Sequence, residues 1–276
     1  EITQLANLFT DDYGKPIELT KGQKDIFKTI LDKKPKRNII MCPTRYGKSL
    51  TVALGVLIRA VVFPEKWAVV APTEKKAKII MNYIIQHLFD NVLFYSQLDI
   101  NTPLERLKRE RSKERLTFKR NGEIFILSAD VRNRKRIGES LMGFGAPHLV
   151  LDESSLIDND IYAIVKRMIG GHKENFLMEI GNPFRRNHFL KAWQSDNYNK
   201  IVIDYHQGIK EGRFSPDFIE EMRGEAFFKV LYECKFPEIG EIDEEGWSAL
   251  LTDKEIEQAM AKEVEPVGKK RLGVDV

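Results

Sequence analysis

The segment Cys42–Ser49, which reads Cys-Pro-Thr-Arg-Tyr-Gly-Lys-Ser, constrains the fold of this chain more than any other. It ends like a phosphate-binding loop, although a cysteine stands where such loops begin with glycine. The apolar run Asn38–Met41 before it predicts a buried strand, and the apolar segment Leu50–Ala60 after it predicts a helix. Between strand and helix, backbone N–H groups and the helix N-terminus face the phosphates, and Gly47 permits their close approach.

Two residues at the end of this loop carry specific roles. Lys48 would reach the terminal phosphates of a nucleoside triphosphate, and the Ser49 hydroxyl would ligate magnesium. A bare Gly-Lys-Ser also arises by chance in a lysine-rich chain, so the prediction needs support from elsewhere. The predicted nucleotide-binding residues are Gln23, Cys42, Pro43, Thr44, Arg45, Tyr46, Gly47, Lys48 and Ser49.

A second acidic motif supplies that support. The apolar segment Ala146–Leu151 predicts a strand, and Asp152 and Glu153 follow it directly. Asp152 would hold the metal, directly or through water, and Glu153 would polarise the attacking water. The alternative is an acidic cap on a helix that starts at Leu156. The chain thus combines a strand, loop and helix that carry Lys-Ser with a later strand that ends in Asp-Glu. This combination favours nucleotide hydrolysis.

Gln23 precedes the loop on a predicted amphipathic helix with Ile26, Phe27, Ile30 and Leu31 on its core face. Its amide offers a donor and an acceptor together, which is the pairing needed to read an adenine edge. The alternative is a solvated glutamine at a helix start.

Composition sets broad limits on the class of protein. The 276 residues include 44 Lys and Arg against 41 Asp and Glu, a net charge of +3, which does not by itself demand a nucleic acid. Cys42 and Cys234 lie far apart, so we expect neither a disulfide framework nor a zinc site, as suits a reducing cytosol. No run approaches the ~20 apolar residues of a membrane span, and no signal peptide is recognised. The ends of the chain lead us to expect a piece of a longer protein.

Strand-like and helical segments alternate along the chain, which predicts an α/β fold with a mostly parallel central sheet flanked by helices. The predicted strands are Arg37–Met41, Trp67–Ala71, Glu123–Ser128, His148–Leu151, Asn175–Ile180 and Lys200–Asp204. Further helices are predicted at Glu74–Leu88, Pro216–Arg223, Glu225–Cys234 and Thr252–Lys262, with a loop at Asp90–Pro103.

These motifs, in this order, resemble the large terminase subunit of tailed double-stranded DNA bacteriophages, in its N-terminal ATPase or packaging motor domain. The resemblance covers nearly the whole chain. It is carried by Gln23, by Arg45 inside the loop, and by the segments Val69–Thr73, Leu149–Glu153 and Gly181–Pro183. It implies a P-loop NTPase fold of the additional-strand, catalytic-glutamate class, with ATP and Mg²⁺ as cofactors and a small helical lid subdomain.

The resemblance also implies roles and domain boundaries. Arg45 would sense the terminal phosphate or the packing of the loop, and Gly181, Asn182 and Pro183 would couple hydrolysis to movement; the alternative is a plain turn. The implied domains are an ATPase core at 1–205, a lid at 206–245, a linker at 246–270 and the start of a ribonuclease-H-like nuclease at 271–276. In that nuclease Asp275 would be the first metal-binding carboxylate, and one acid does not assemble a two-metal site, so no nuclease activity is expected of this chain.

An arginine from a neighbouring subunit often completes such a site, and many terminases carry it directly before a glycine upstream of the catalytic glutamate. Here that place reads Met142-Gly143, a departure from the family pattern. Arg136 is our first candidate for the arginine supplied in trans, with Arg132 and Arg134 as alternatives; a solvated basic loop is the other interpretation.

Basic residues also gather at 33–37, at 106–120 and at Arg185-Arg186. Backbone phosphate contacts need such charge, although a salt-bridged surface explains 106–120 better. The resemblance implies double-stranded DNA, the portal protein, the small terminase subunit and other copies of the chain in a ring as partners, with no membrane. It places the protein in the host cytoplasm and transiently at the procapsid portal. The alternatives are a helicase-like translocase and a non-catalytic nucleotide-gated DNA-binding module.

Overall fold

The computed structural model describes residues 2–99, 115–130, 145–238 and 253–262. Within these residues the central feature is a seven-stranded sheet in the order β3-β4-β2-β5-β6-β1-β7, in which only the β3–β4 pair is antiparallel. The strands are β1 Arg37–Met41, β2 Lys66–Ala71, β3 Arg115–Thr117, β4 Glu123–Ser128, β5 His148–Asp152, β6 Phe176–Gly181 and β7 Asn199–Val202.

Helices connect and cover these strands. They are α1 Lys21–Asp32, α2 Lys48–Val62, α3 Glu74–Asp90, α4 Val92–Tyr95, α5 Asn159–Lys166, α6 His188–Gln194, α7 Tyr205–Lys210, α8 Pro216–Met222, α9 Phe228–Leu231 and α10 Asp253–Ala261. Short 3₁₀ helices occur at Ile2–Leu8, Ser154–Leu156 and Arg167–Ile169. None of the described helices is both long and apolar enough to cross a membrane.

Strand order confirms the predicted fold class. β6 pairs with β1 on one side and with β5 on the other, so one strand separates the loop-bearing strand from the strand that ends in Asp152. The register sets Met41 beside Gly181 and Asp152 beside Ile180. Because the carboxyl ends of parallel strands meet at one edge, the loop, the acidic pair and the Gly-Asn-Pro segment converge there.

The core forms on both faces of the sheet because its central strands are apolar throughout. Every residue of β5 and β6 is buried, as expected for strands that helices cover on both sides. α2 is almost entirely buried and packs against α1 and α3. The core therefore holds the amino end of α2, which begins inside the loop, in a fixed position.

Six strands agree with the sequence prediction to within two residues at each end, and β3 was missed. Its three residues include the charged Arg115, which ion-pairs with Glu123, so no apolar run marks the strand. The predicted loop at Asp90–Pro103 contains α4 in its described part. The helix expected at Glu225–Cys234 is limited to α9, because Phe227 adopts a left-handed conformation with φ of 65°.

The segment from α7 to α9, which we call the lid, consists of three short helices. Its apolar side chains join the core cluster of the sheet domain through residues such as Tyr205, Phe214 and Phe228. Contacts divide the chain after Phe236, so the sheet and lid belong to one compact unit. In the second unit, residues 237–276, the described structure includes α10, where a helix was predicted.

Candidate functional site

The predicted phosphate-binding loop joins β1 to α2 at the carboxyl edge of the sheet. Gly47 caps α2 with φ of 96°, and a Cβ added there would collide with the side chains of Arg213 and Gln23. Arg45 also has a left-handed backbone, with φ of 56°, and its side chain is exposed. A non-glycine residue in this conformation is strained, and such strain concentrates at functional sites.

Cys42 occupies the place of the missing glycine as a small buried group. It is fully buried, and its N–H donates to the carbonyl of Gly181 at 3.3 Å. Burial raises the pKa of its thiol to about 12, although the charge of Lys48 acts in the opposite direction. The thiol is therefore neutral at physiological pH and serves packing.

Lys48 and Glu153 form a nearly buried ion pair, with Nζ 2.8 Å from Oε1. Burial alone would lower the pKa of Lys48, but the charges of Glu153 and Asp152 outweigh it and raise the pKa. Burial likewise opposes ionisation of Glu153, yet Lys48 and Lys76 hold its pKa below the usual value. Lys76 approaches Oε1 to 3.9 Å from the first turn of α3. Lys48 and Glu153 are therefore both charged.

Asp152 lies beside this pair with an oxygen to spare. Its Oδ2 accepts a hydrogen bond from Ser49 Oγ at 2.9 Å, whereas its Oδ1 is buried without a partner among the described groups, as is Glu153 Oε2. Burial and the charge of Glu153 raise the pKa of Asp152 to about 6, against the effect of Lys48. A buried carboxylate oxygen without a donor is unfavourable unless a cation or water binds it.

The oxygen atoms of Ser49 and Asp152 fit a hard cation such as Mg²⁺. Magnesium is usually bound by one or two protein oxygens and completes its shell with water and substrate phosphates. The described part of the chain holds no group of three or more His, Cys, Asp or Glu side chains able to hold a metal ion. Two protein oxygens, from Ser49 and Asp152, suit a magnesium ion that takes its other ligands from water and phosphate.

A cavity of about 500 Å³ surrounds these atoms. Its lining carries four cationic side chains and two carboxylates, so positive charge exceeds negative by two. The cations are Arg45, Lys48, Lys76 and Arg213, and the carboxylates are Asp152 and Glu153.

A second cavity, of about 690 Å³, shares Leu50, Tyr83 and Arg213 with the first. Gln23 lines it and is 3 % exposed. The Gln23 amide accepts from the N–H of Thr20 at 3.0 Å and donates to the carbonyl of Tyr46 at 3.3 Å. Gln23 therefore caps α1 and holds the phosphate-binding loop in addition to facing this cavity.

The Gly-Asn-Pro segment touches both the catalytic candidate and the lid. A Cβ added at Gly181 would lie 2.9 Å from the Cα of Glu153, so only glycine allows this approach. The buried Asn182 donates through Nδ2 to the carbonyls of Val230 at 3.2 Å and Leu231 at 3.0 Å. Pro183 follows, also buried.

Other predicted residues either fall outside the described residues or do not line these cavities. Arg132, Arg134, Arg136 and Asp275 fall outside the described residues, as does Met142-Gly143. Of the basic clusters, 33–37 lies at the opposite edge of the sheet, where Lys33 pairs with Glu65. Arg185 pairs with Asp158 at 2.8 Å.

Sequence reasoning missed several residues that line the two cavities, among them Lys76, Tyr83 and Arg213. Lys76 could have been predicted, because it lies in the first turn of α3. The N-cap of that helix, Thr73, closely follows the predicted strand β2. Nothing local marked Arg213, whose position depends on how the lid packs.

Comparison with known proteins shows the same architecture. A family model described as terminase large subunit, T4-like-virus type, N-terminal, matches residues 39–248. The crystal structure of the bacteriophage HK97 large terminase is similar, with a TM-score of 0.66 and 18% identity over 85% of this chain and 54% of that one. No curated protein sequence matches.

Two further structures extend the likeness. The ATPase domain of the Thermus phage P74-26 large terminase has a TM-score of 0.61 and 14% identity, covering 80% of this chain and 94% of that one. The large terminase of another thermophilic bacteriophage, solved in complex with ADP, has a TM-score of 0.53 and 14% identity, covering 80% and 55%. The chain thus spans about half the length of the HK97 terminase and of the ADP-bound terminase, and at these identities the likeness is one of fold.

Proposed function

Because the chain belongs to the terminase large-subunit family, of the T4-like-virus N-terminal type, we propose that it is a magnesium-dependent ATPase whose hydrolysis drives double-stranded DNA into a viral procapsid. The observation that carries this proposal is the meeting of Lys48 with Glu153 and of Ser49 with Asp152 at one edge of the sheet. The nucleotides in two structures of the thermophilic bacteriophage terminase, ADP and an ATP analogue, support ATP as the ligand.

Charge and shape support a triphosphate in the first cavity. ATP with one magnesium ion carries about two negative charges at neutral pH, which match the excess of two positive charges in the lining. The N-terminus of α2 adds backbone N–H groups and a favourable dipole. The base and ribose would then lie in the adjoining cavity, which Gln23 lines.

The residues divide the work of hydrolysis. Lys48 exchanges Glu153 for the terminal phosphates and stabilises the charge that develops there. Glu153, released from Lys48, orients a water molecule and accepts its proton as the water oxygen bonds to the γ-phosphorus and the bond to the bridging oxygen breaks. Ser49 and Asp152 would hold Mg²⁺, which when bound would neutralise negative charge on the phosphates.

Coupling to movement follows from the Gly-Asn-Pro segment. The backbone of Gly181 packs on Glu153, and the side chain of Asn182 bonds the lid backbone. Thr44 N–H of the loop donates to the same Leu231 carbonyl at 3.2 Å. A shift of Glu153 on hydrolysis would therefore reach the lid through Gly181 and Asn182, and coupling of this kind is the role we propose for Gly181, Asn182 and Pro183.

The wider assembly is part of the proposal. We assign residues 1–205 to the ATPase core, 206–245 to the lid, 246–270 to a linker and 271–276, with Asp275, to the start of a nuclease domain. Partners would be double-stranded DNA, the portal protein, the small terminase subunit and further copies in a ring, in the host cytoplasm and at the procapsid portal. Arg136, or else Arg132 or Arg134, would enter the site of a neighbouring copy.

Phosphate release from ATP, measured with Mg²⁺ and with EDTA, tests the proposal. We expect magnesium-dependent turnover that Lys48→Ala abolishes and that Lys75→Ala, an exposed change on α3, leaves intact. A rate per subunit that rises with protein concentration would show catalysis in trans. Turnover that persists in Lys48→Ala, or no turnover at any concentration, would refute the assignment.

A further inference from the structure

Arg213 reaches the site from the lid. It lies in the turn between α7 and α8, after Gly212 and before the buried Phe214. Its guanidinium donates to the carbonyl of Tyr46 in the phosphate-binding loop, through Nε at 3.2 Å and Nη2 at 2.8 Å. A charged side chain of the lid thus bonds the loop residue immediately before Gly47.

Arg213 has no carboxylate partner among the described residues, and its Nη1 makes no hydrogen bond to them. Arg213 is an exposed side chain that lies beside Gly47, so its remaining N–H groups are accessible to a ligand. A guanidinium presents several N–H groups in a fixed planar fork that suits phosphate oxygens. These accessible donors line a cavity in which positive charge exceeds negative charge, so they suit an anionic ligand.

The position of Arg213 between the two cavities indicates which part of a nucleotide it would contact. Arg213 is one of three residues that line both cavities, and the only charged one of these three. In the arrangement proposed above, the terminal phosphates lie beside Lys48 and the base beside Gln23. The junction then receives the ribose and the phosphate attached to it.

The neighbouring residue Glu211 fixes the turn in place. Its Oε2 accepts from the hydroxyl of Tyr46, and its Oε1 accepts from the N–H of Gly22 at 3.0 Å and from Gln207 Nε2 at 2.8 Å. Lid, loop and α1 are thereby joined at one carboxylate. This anchoring limits the freedom of Arg213 and reduces the entropy lost when it binds a ligand.

We propose that Arg213 binds the nucleotide at the phosphate nearest the ribose, so that the lid senses an occupied site whichever nucleotide, ATP or ADP, is present. The inference rests on the proposed function and adds a binding residue to it. Lys48 would distinguish ATP from ADP through the terminal phosphates. Arg213 would instead contact the phosphate nearest the ribose, which ATP and ADP share.

Nucleotide affinities of the Arg213→Ala chain test this role. By titration with fluorescent ATP and ADP we expect both to bind about 10-fold more weakly, by a similar factor, because a charge-assisted hydrogen bond is lost. Adenosine, which has no phosphate, should bind as to the unchanged protein. Arg213→Lys, which keeps the charge but not the planar fork, should recover part of the affinity.

Arg223→Ala is the matched control. Arg223 is an exposed lid arginine that pairs with Glu220 and lies over the rings of Tyr205 and Phe228, all within the lid, so its loss should leave both affinities intact. Unchanged ADP affinity in Arg213→Ala would overturn the proposal, and so would a loss confined to ATP. Failure of the unchanged protein to bind ATP or ADP would instead refute the proposed function.

Hydrogen exchange tests the link to the lid. Saturating ADP should slow amide exchange across residues 205–231 in the unchanged protein and in Arg223→Ala. At matched saturation, Arg213→Ala should lack this protection while the loop remains protected. Full lid protection in Arg213→Ala would show that the lid senses the nucleotide without this residue.

Discussion

Mostly buried carboxylates occur at both edges of the sheet, but their hydrogen bonding differs. At the amino edge, Glu65 accepts from Arg59, from Lys33 at 2.6 Å and from Trp67 at 3.0 Å. Burial opposes its ionisation, but Arg59 and Lys33 hold its pKa below the usual value. At the carboxyl edge, Asp152 and Glu153 lie side by side, and each has an oxygen without a described donor.

This difference separates stability from function. At the amino edge, both carboxylate oxygens of Glu65 accept hydrogen bonds from the protein, as expected of a structural network. The carboxyl edge places like charges together and leaves acceptors free, and Glu153 adds a strained backbone with φ of 51°. Such an arrangement is unfavourable on its own and becomes favourable when a cation and phosphates bind.

Glu153→Gln should produce the largest effect and confine it to catalysis. We expect ATP turnover to fall by about 10³-fold, because the amide cannot accept the proton of the attacking water. ATP binding should persist, since Lys48 and Ser49 remain. Single-turnover phosphate release and equilibrium titration measure the two quantities, and an unchanged rate would remove Glu153 from the chemistry.

Glu65→Gln should produce the reverse pattern. The change leaves Arg59 and Lys33 without their counter-charge in a mostly buried network, so we expect a loss of about 3 kcal/mol in the free energy of unfolding. Turnover per folded molecule should stay near normal. Urea unfolding followed by circular dichroism measures the loss, and Glu174→Gln, which breaks the exposed pair with Lys36, is the control.

His148 makes the amino edge sensitive to acid. Its ring stacks on Trp67, Nδ1 faces the carbonyl of Lys66 at 3.0 Å, and Nε2 lies 3.1 Å from the ammonium of Lys33. Nδ1–H therefore donates to the carbonyl, and Nε2 accepts from Lys33. Burial lowers the pKa of His148 to about 4, against the effect of Glu65, so the folded ring stays neutral.

The pH dependence of unfolding follows from that pKa. Unfolded His148 titrates near 6.5, so its contribution is complete above that pH and is lost as the pH falls towards 4. Between pH 7 and 4.5 the unchanged protein should lose about 2 kcal/mol more stability than His148→Asn. The exposed control His206→Asn should retain this loss, and equal losses in the unchanged protein and His148→Asn would contradict the interpretation.

Contiguous motifs explain how much was predictable. The loop, the acidic pair and the strands that carry them appear as short patterns, and parallel pairing brings their ends together. β3 was not predicted because it has only three residues, one of them charged, and so shows no periodic pattern. Arg213 escaped for another reason: it acts through a contact between residues 46 and 213, and such contacts depend on tertiary packing rather than on local pattern.

The contact between Gly181 and Glu153 limits how this protein can change. The atom that an alanine at position 181 would strike is the Cα of Glu153, which every amino acid possesses. No exchange of the side chain at 153 can therefore relieve the collision. Compensation has to come from movement of a strand end, so position 181 should stay intolerant of substitution across genetic backgrounds, and second-site suppressors should be sought in the turns that follow β5 and β6.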